Sequence, residues 1–388
     1  MSILRECIAY NRQQKVIILT CLALFLPFYI TCIIDLVLLI YCLIKKDLQK
    51  AYKSVDKAFW IFPFTALSVV VSLLYHNYIG VMCNLGILVI FSMVIFYQCY
   101  GDAQLFRRIL KLIVLMSILC AIYGMMEYNG ILRKLGVEEF EVIVFDNPKS
   151  RLNSVFFNAN YYAMMLEFFC IIIVYLILYE KKASRLLYYV CVLAMNLFIL
   201  YLTGCRTAWP ALATGVFVLV LFYEDRRLLY VLLILGAILM LMFLIEPSLF
   251  PRSDNILKYF LNRTKIWKVA IDNIKHHLLF GQGPLTYMLV YPNYPQAIVT
   301  QHAHNIFLDP ILCYGVIGIG LIFPYFKARY NEWKLCSNQH DMKVLVKAFL
   351  IATLIHGVLD YTIYFVPTGF MFLMILSSTF TIKQAKGQ

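Results

Sequence analysis

The chain has 388 residues, of which 62% are hydrophobic and only 14% charged, against roughly 45–50% apolar and about 25% charged in an ordinary soluble domain. One soluble globule of this size has too few polar residues to cover so much apolar surface, which excludes a soluble enzyme. The formal charge of +13 does not point to nucleic acid either, because the basic residues punctuate long apolar runs and nowhere gather on a polar domain.

Apolar runs of about 20 residues, the length that crosses a bilayer as a helix, are expected near 58–75, 79–99, 109–128, 159–179, 187–204, 207–223, 228–246, 305–325, 343–359 and 362–381. The run 16–44 is too long for one untilted helix and carries Pro27 near its middle, which predicts two short helices or one broken one. The expected fold is an all-α polytopic membrane protein with about twelve transmembrane helices, or eleven, forming a single integral membrane domain over 1–388. Barrel strands would alternate in polarity, and the runs 171–178 and 228–244 do not. Helices, by contrast, satisfy their own backbone groups in lipid. With twelve spans and an inner N-terminus, 22 of the 34 Lys and Arg fall on inner segments, from Arg5 to Lys383 and Lys386. Outer segments hold 11, and Lys347 lies within a span. That bias places both ends inside. The first apolar run lacks a convincing cleavage site and is expected to stay as an anchor. The twelve Cys, from Cys7 to Cys336, include no Cys-x-x-Cys pair, and none lies in the two long outer loops. They read as buried apolar thiols rather than a disulfide framework.

Those two loops, 129–158 and 246–302, exceed ordinary connections several-fold and make the outer face the expected site. In the second, residues 262–277 have helical periodicity. Ile266, Trp267, Ala270, Ile271, Ile274 and Leu278 share one side, Lys268, Asp272 and Lys275 the other, and Gly281 and Gly283 end it. This predicts an amphipathic interfacial helix with Arg263 in its first turn, where a cation and free N–H groups attract phosphate. A helix that merely lids the bundle fits the same pattern. Arg206 is expected in a short outer turn, where an Arg is disfavoured unless something anionic compensates it. A lipid phosphate and a substrate diphosphate both qualify.

His302 and His304 are two residues apart, and His276 and His277 are adjacent. Neither spacing supplies a full metal ligand set, so no metal and no cofactor is expected. An imidazole here is a candidate general base or orienter, and equally a helix cap. His356 and Asp360, four apart, are expected on one helix face. Glu167, Asp309 and Lys347 fall within or at spans and must face the bundle interior or a wet cavity. A proton-coupled transporter competes with an enzyme on these residues. Against it, there is no convincing internal repeat and no partner for the break at Pro27.

Four segments in order carry a resemblance: Arg151-Leu152-Asn153-Ser154-Val155-Phe156-Phe157-Asn158-Ala159-Asn160; Thr203-Gly204-Cys205-Arg206; Arg263 with Trp267 and Gly281-Gln282-Gly283; and His304-Asn305-Ile306-Phe307-Leu308 followed by Gly315-Val316-Ile317-Gly318. Together they resemble the O-antigen ligase and polymerase family of multispanning bacterial enzymes, over roughly 151–360. The resemblance implies a GT-C-like helical enzyme of the cytoplasmic membrane, acting at its outer face. It implies transfer of a glycan from undecaprenyl diphosphate to a glycan or lipid-linked acceptor, without nucleotide sugar or essential metal. Carried over by position, Arg206 and Arg263 stabilise the departing diphosphate and His304 deprotonates or orients the attacking hydroxyl, with inversion. Arg151, Asn305, His356 and Asp360 are the expected substrate-binding residues. Membrane lipids and envelope polysaccharide assembly proteins are the implied partners, with no nucleic acid. Cys205 stands where Ser is usual, and Asp309-Pro310 is expected to kink the following helix. Polymerisation is the first reading, because nothing looks specialised for a second acceptor class. A ligase acting on a core lipid, wall polymer or protein is the alternative, and a transporter of a lipid-linked or anionic substrate the third.

Overall fold

Apolar runs free of interior proline coil into helices. The computed structural model, which describes residues 10–223, 225–250, 252–253, 256–335 and 340–378, contains no strand among them. Arg5, Cys7, Cys336, Lys383, Lys386 and the end of the run expected to reach 381 lie outside the described residues. In chain order the helices are α1 (Arg12–Ala23), α2 (Phe28–Ile44), α3 (Asp47–Ser54), α4 (Ile61–Leu74), α5 (Tyr78–Tyr100), α6 (Ala103–Lys134), α7 (Ala159–Tyr179), α8 (Ala183–Thr203), α9 (Ala208–Tyr223), α10 (Arg226–Ile245), α11 (Ile256–His277), α12 (Thr286–Val290), α13 (Leu308–Leu335), α14 (His340–Gly357) and α15 (Val366–Ser377).

The run 16–44 is two short helices. Pro27 sits between them in an extended conformation, and the Thr31 hydroxyl donates to the Ala23 carbonyl across the break at 2.6 Å. Six helices among the described residues, α5, α6, α7, α8, α10 and α13, are long and apolar enough to cross a membrane. A seventh counts if α2 and α3, bent by 87°, form one broken span. The expected twelve exceeds this number for two physical reasons. α1 with 12 residues, α2 with 17, residues 58–74, α9 and α15 are short, and α14 carries Asp341, Lys343 and Lys347. Two boundaries also move. α6 runs on to Lys134, so the first long loop begins at 135 rather than 129, and α13 reaches Leu335 rather than 325.

Two compact units emerge. One comprises Met1–Ile109, Asn262–Gln339 and Gly369–Gln388. Its core gathers Ala51, Ile61, Phe91, Ile95 and Tyr325, and a second cluster joins Ile266, Ala270, Tyr287 and Leu312. The other comprises Leu110–Leu261 and His340–Thr368. At its centre α7 is buried along most of its length, with α8, α9 and α14 packed around it. Phe168 stacks on Phe349 at 4.6 Å between ring centres. α10 is just as apolar, yet none of its residues is buried. A helix that is hydrophobic all round and unburied is stable only in lipid, so the chain is a polytopic membrane protein.

Candidate active site

In the unit built on α7, helix α8 ends at Gly204, whose left-handed conformation (φ +60°) closes the helix as a C-cap. A Cβ there would lie 2.5 Å from Val144 Cγ1 and 3.2 Å from Arg252 Cδ, so both backbone and space require glycine. Three arginines converge on the resulting turn. Arg151, buried, donates from Nε to the Thr203 carbonyl at 2.5 Å and from Nη2 to Asn160 Oδ1 at 2.9 Å. Arg206, half-buried, donates from Nη1 to the Arg252 carbonyl at 2.5 Å. Arg252 donates to the Gly204 carbonyl at 3.2 Å and pairs with Asp146 at 2.9 Å. Arg206 and Arg252 both lie against the Tyr259 ring, at 4.3 and 4.7 Å.

Charge is unbalanced at this corner. Among the described residues no carboxylate pairs with Arg206, and the carboxylate that pairs with Arg252 is itself largely exposed. Burial, reinforced by the Arg252 charge, lowers the proton affinity of Arg206. Burial likewise lowers Arg151 to about 10, which still leaves it cationic at neutral pH. Desolvated guanidinium forks without a full complement of anions favour a bound phosphate or diphosphate.

Beneath the turn, Asn160 Nδ2 donates to Asp360 Oδ2 at 2.7 Å, so Arg151, Asn160 and Asp360 form one hydrogen-bonded line. The expectation that His356 and Asp360 share a helix face is corrected. α14 ends at Gly357, before Asp360, and the partner of His356 Nδ1 is Glu167 Oε1 at 2.5 Å. Both side chains are fully buried. The preceding loop is fixed by its own chemistry: Glu127 accepts from the Ser154 amide at 2.7 Å and Asn129 from the Phe140 amide at 3.0 Å.

Arg263, His304 and Asn305 belong to the other unit. α11 begins at Ile256, so Arg263 stands in its interior, not in its first turn, and the helix N-terminus is not beside it. The buried face is Ile266, Val269, Ala270 and Asn273, whereas Ile271 and Leu278 are exposed, a rotation from the face read in the sequence. Lys268 and Lys275 are exposed as expected, and Asp272 accepts from the Tyr294 hydroxyl at 3.0 Å. His302 and His304 lie in a non-helical segment, which brings their rings edge to face at 4.2 Å instead of on different sides. His304 has a left-handed backbone (φ +49°) and its Nε2 is 2.8 Å from Thr300 Oγ1. Asn305 caps α13, with Oδ1 accepting from the Phe307 and Leu308 amides at 2.9 and 3.0 Å. Buried Asp309 accepts from the Ala303 amide at 2.6 Å.

The kink expected at Pro310 is also corrected. Pro310 lies in the first turn of α13, where proline is tolerated, and the break is at Gly315 (φ 61°, ψ −179°). There the chain docks on the segment after α11. Val316 and Ile317 donate to the Leu278 and Leu279 carbonyls at 2.9 and 3.0 Å, and Gly283 donates to Cys313 at 2.8 Å. Asn77, capping α5, holds the same loop by donating to the Gln282 and Pro284 carbonyls. The two glycine motifs thus find a structural purpose in each other.

Reading the sequence missed Arg252, Tyr259 and Asn160 as site residues. Arg252 carried the same signal as Arg206, a cation on an outer segment, but was diluted among the other cations of a long loop.

Residues 191–323 match the family model described as O-antigen ligase, a span that contains Arg206, Arg263, His304 and Asn305. No curated protein matches the chain.

Proposed function

We propose, from the premise that the chain belongs to the O-antigen ligase and polymerase family, that it polymerises undecaprenyl-diphosphate-linked repeat units into a surface polysaccharide at the outer face of a bacterial cytoplasmic membrane. The supporting observation is the Arg206 corner: a half-buried guanidinium, against the Tyr259 ring and beside Arg252, with no carboxylate among the described residues paired with it. In the proposed GT-C-like reaction the acceptor hydroxyl attacks the anomeric carbon from the side opposite the diphosphate. The new C–O bond forms as the bond to the phosphate oxygen breaks, the hydroxyl proton passes to His304, and the diphosphate leaves with the bonding electrons. Arg206 and Arg263 oppose the charge that develops on it. Arg151 and Asp360 support the same corner through Asn160. No metal is assigned a role.

The test is the purified protein with undecaprenyl-diphosphate-linked repeat unit as sole substrate, in a chelator. A polymerase gives a ladder of lengthened lipid-linked chains, because donor and acceptor are then the same kind of molecule. A ligase stays silent until a core lipid, wall polymer or protein acceptor is added, and single-step transfer to one of these would replace polymerase by ligase. Substrate movement across vesicles without glycosyl transfer would replace both by a transporter.

A further inference from the structure

Glu167 and His356 are both fully buried in the core of the unit built on α7, and the reaction proposed above uses neither. Their contacts lead to the turn that does take part. Glu167 Oε1 lies 2.5 Å from His356 Nδ1. His356 Nε2 lies 3.5 Å from Thr207 Oγ1, at the long end of a hydrogen bond. Thr207 Oγ1 is in turn 3.2 Å from Cys205 Sγ. The line runs from α7 through α14 to the two residues that flank Arg206.

Net charge decides which way these bonds point. A buried pair with a net charge is costly, so carboxyl and imidazole together hold the protons that make them neutral. One proton lies between Oε1 and Nδ1 whichever atom owns it, and the other sits on Nε2 rather than on Glu167 Oε2, which is buried with no hydrogen-bond partner to receive it. Nε2–H therefore donates to Thr207 Oγ1, and the Thr207 hydroxyl is left to donate to Cys205 Sγ. From the other side, Arg151 donates to the Thr203 carbonyl and Thr203 Oγ1 accepts from the Cys205 amide at 3.3 Å. The turn is gripped at 203 and at 207, with Arg206 between the grips.

A well-packed apolar pair would join α7 to α14 at least as firmly as two buried ionisable groups. What such a pair would lack is a directed bond to Thr207. We propose that Glu167 and His356 are positioning residues, which orient Arg206 toward the leaving diphosphate by fixing Thr207. The inference rests on the diphosphate-transfer reading of the Arg206 corner.

The experiment is steady-state kinetics of the full-length protein on the undecaprenyl-diphosphate-linked repeat unit, with any acceptor that supports turnover. Thr207→Val keeps the shape and removes the hydroxyl. It is expected to lower kcat at least about ten-fold with KM within about three-fold, and Thr207→Ser to restore kcat to within about three-fold of wild type. Glu167→Leu/His356→Phe, which fills the core with apolar atoms, is expected to insert and match the kcat loss of Thr207→Val. Adding Thr207→Val to that pair is expected to cost nothing more, since both changes break one line of bonds. Wild-type kcat in Thr207→Val, or a triple variant whose losses multiply, would overturn the positioning role while leaving Arg206→Ala inactive. Full transfer by Arg206→Ala, or no transfer by wild type to any acceptor, would instead overturn the reading on which the inference stands.

Discussion

A guanidinium in a half-buried turn carries its charge into a poorly solvated place, and at Arg206 the neighbouring Arg252 makes that place more positive still. In the proposed reaction an arriving diphosphate relieves both costs, and it gains most as its own charge grows in the transition state. Arg206→Ala is therefore expected to cut transfer by about 100- to 1,000-fold, the usual cost of removing one donor to a developing oxyanion. Arg206→Lys should recover little of it. A lysine ammonium keeps the charge but loses the planar guanidinium that lies over Tyr259 and, with its several donors, can hold the Arg252 carbonyl and still bond a phosphate. Turnover by membranes matched for protein content checks both, and near-normal activity of the Lys variant would reduce Arg206 to a lipid-headgroup contact. Arg206 was legible in the sequence because a cation in a short turn between two apolar runs is improbable there. As site residues Arg252 and Asn160 were not, because their meaning depends on partners as distant as Asp146, 106 residues away, and Asp360, 200 residues away.

At the scale of elements the sequence showed where helices stop more reliably than what the stops touch. Gly281 and Gly283 announced the end of α11, and the helix does end at His277. That the same loop docks on a break in α13 depends on backbone hydrogen bonds between segments about 35 residues apart, which no periodicity encodes. The start of α11 was misplaced for a related reason: the turn before 262 is largely apolar and offers no polar face to mark it as part of an amphipathic helix. The dock makes a firm prediction. A Cβ at Gly315 would sit 2.4 Å from the Leu279 carbonyl oxygen in a backbone conformation that favours glycine. Gly315→Ala is therefore expected to lose about 2–5 kcal/mol through strain and overpacking. Gly236→Ala, where a Cβ meets nothing within 4 Å, should change stability by no more than about 1 kcal/mol. Thermal unfolding of both variants in one detergent provides the comparison, and equal melting temperatures would mean that the dock is loose.

For the whole molecule, hydrophobic runs located nearly every helix but overstated how many are by themselves long and apolar enough to cross. The difference lies in particular residues. Asp341, Lys343 and Lys347 make α14 a poor span by composition, although it packs with α7 and α9 in the core of its unit. Orientation rests on a different kind of information, the excess of Lys and Arg on alternate segments, which reflects how the chain is inserted rather than how it packs. The charge pattern puts Lys181, between α7 and α8, inside, and Ser253, after α10, outside with the Arg206 corner. With the twelve native Cys replaced, Lys181→Cys and Ser253→Cys variants in intact cells should respond differently to a membrane-impermeant thiol reagent. Ser253→Cys is expected to react at once, and Lys181→Cys only after the membrane is opened. Three helices, α8, α9 and α10, separate the two positions, and an odd number of crossings puts their ends on opposite sides. Labelling of both from the same side would mean that one of the three does not cross. α9, with 16 residues the shortest of them, would then be the segment to reassign, and the Arg206 corner at its N-terminus would no longer be tied to the outer face.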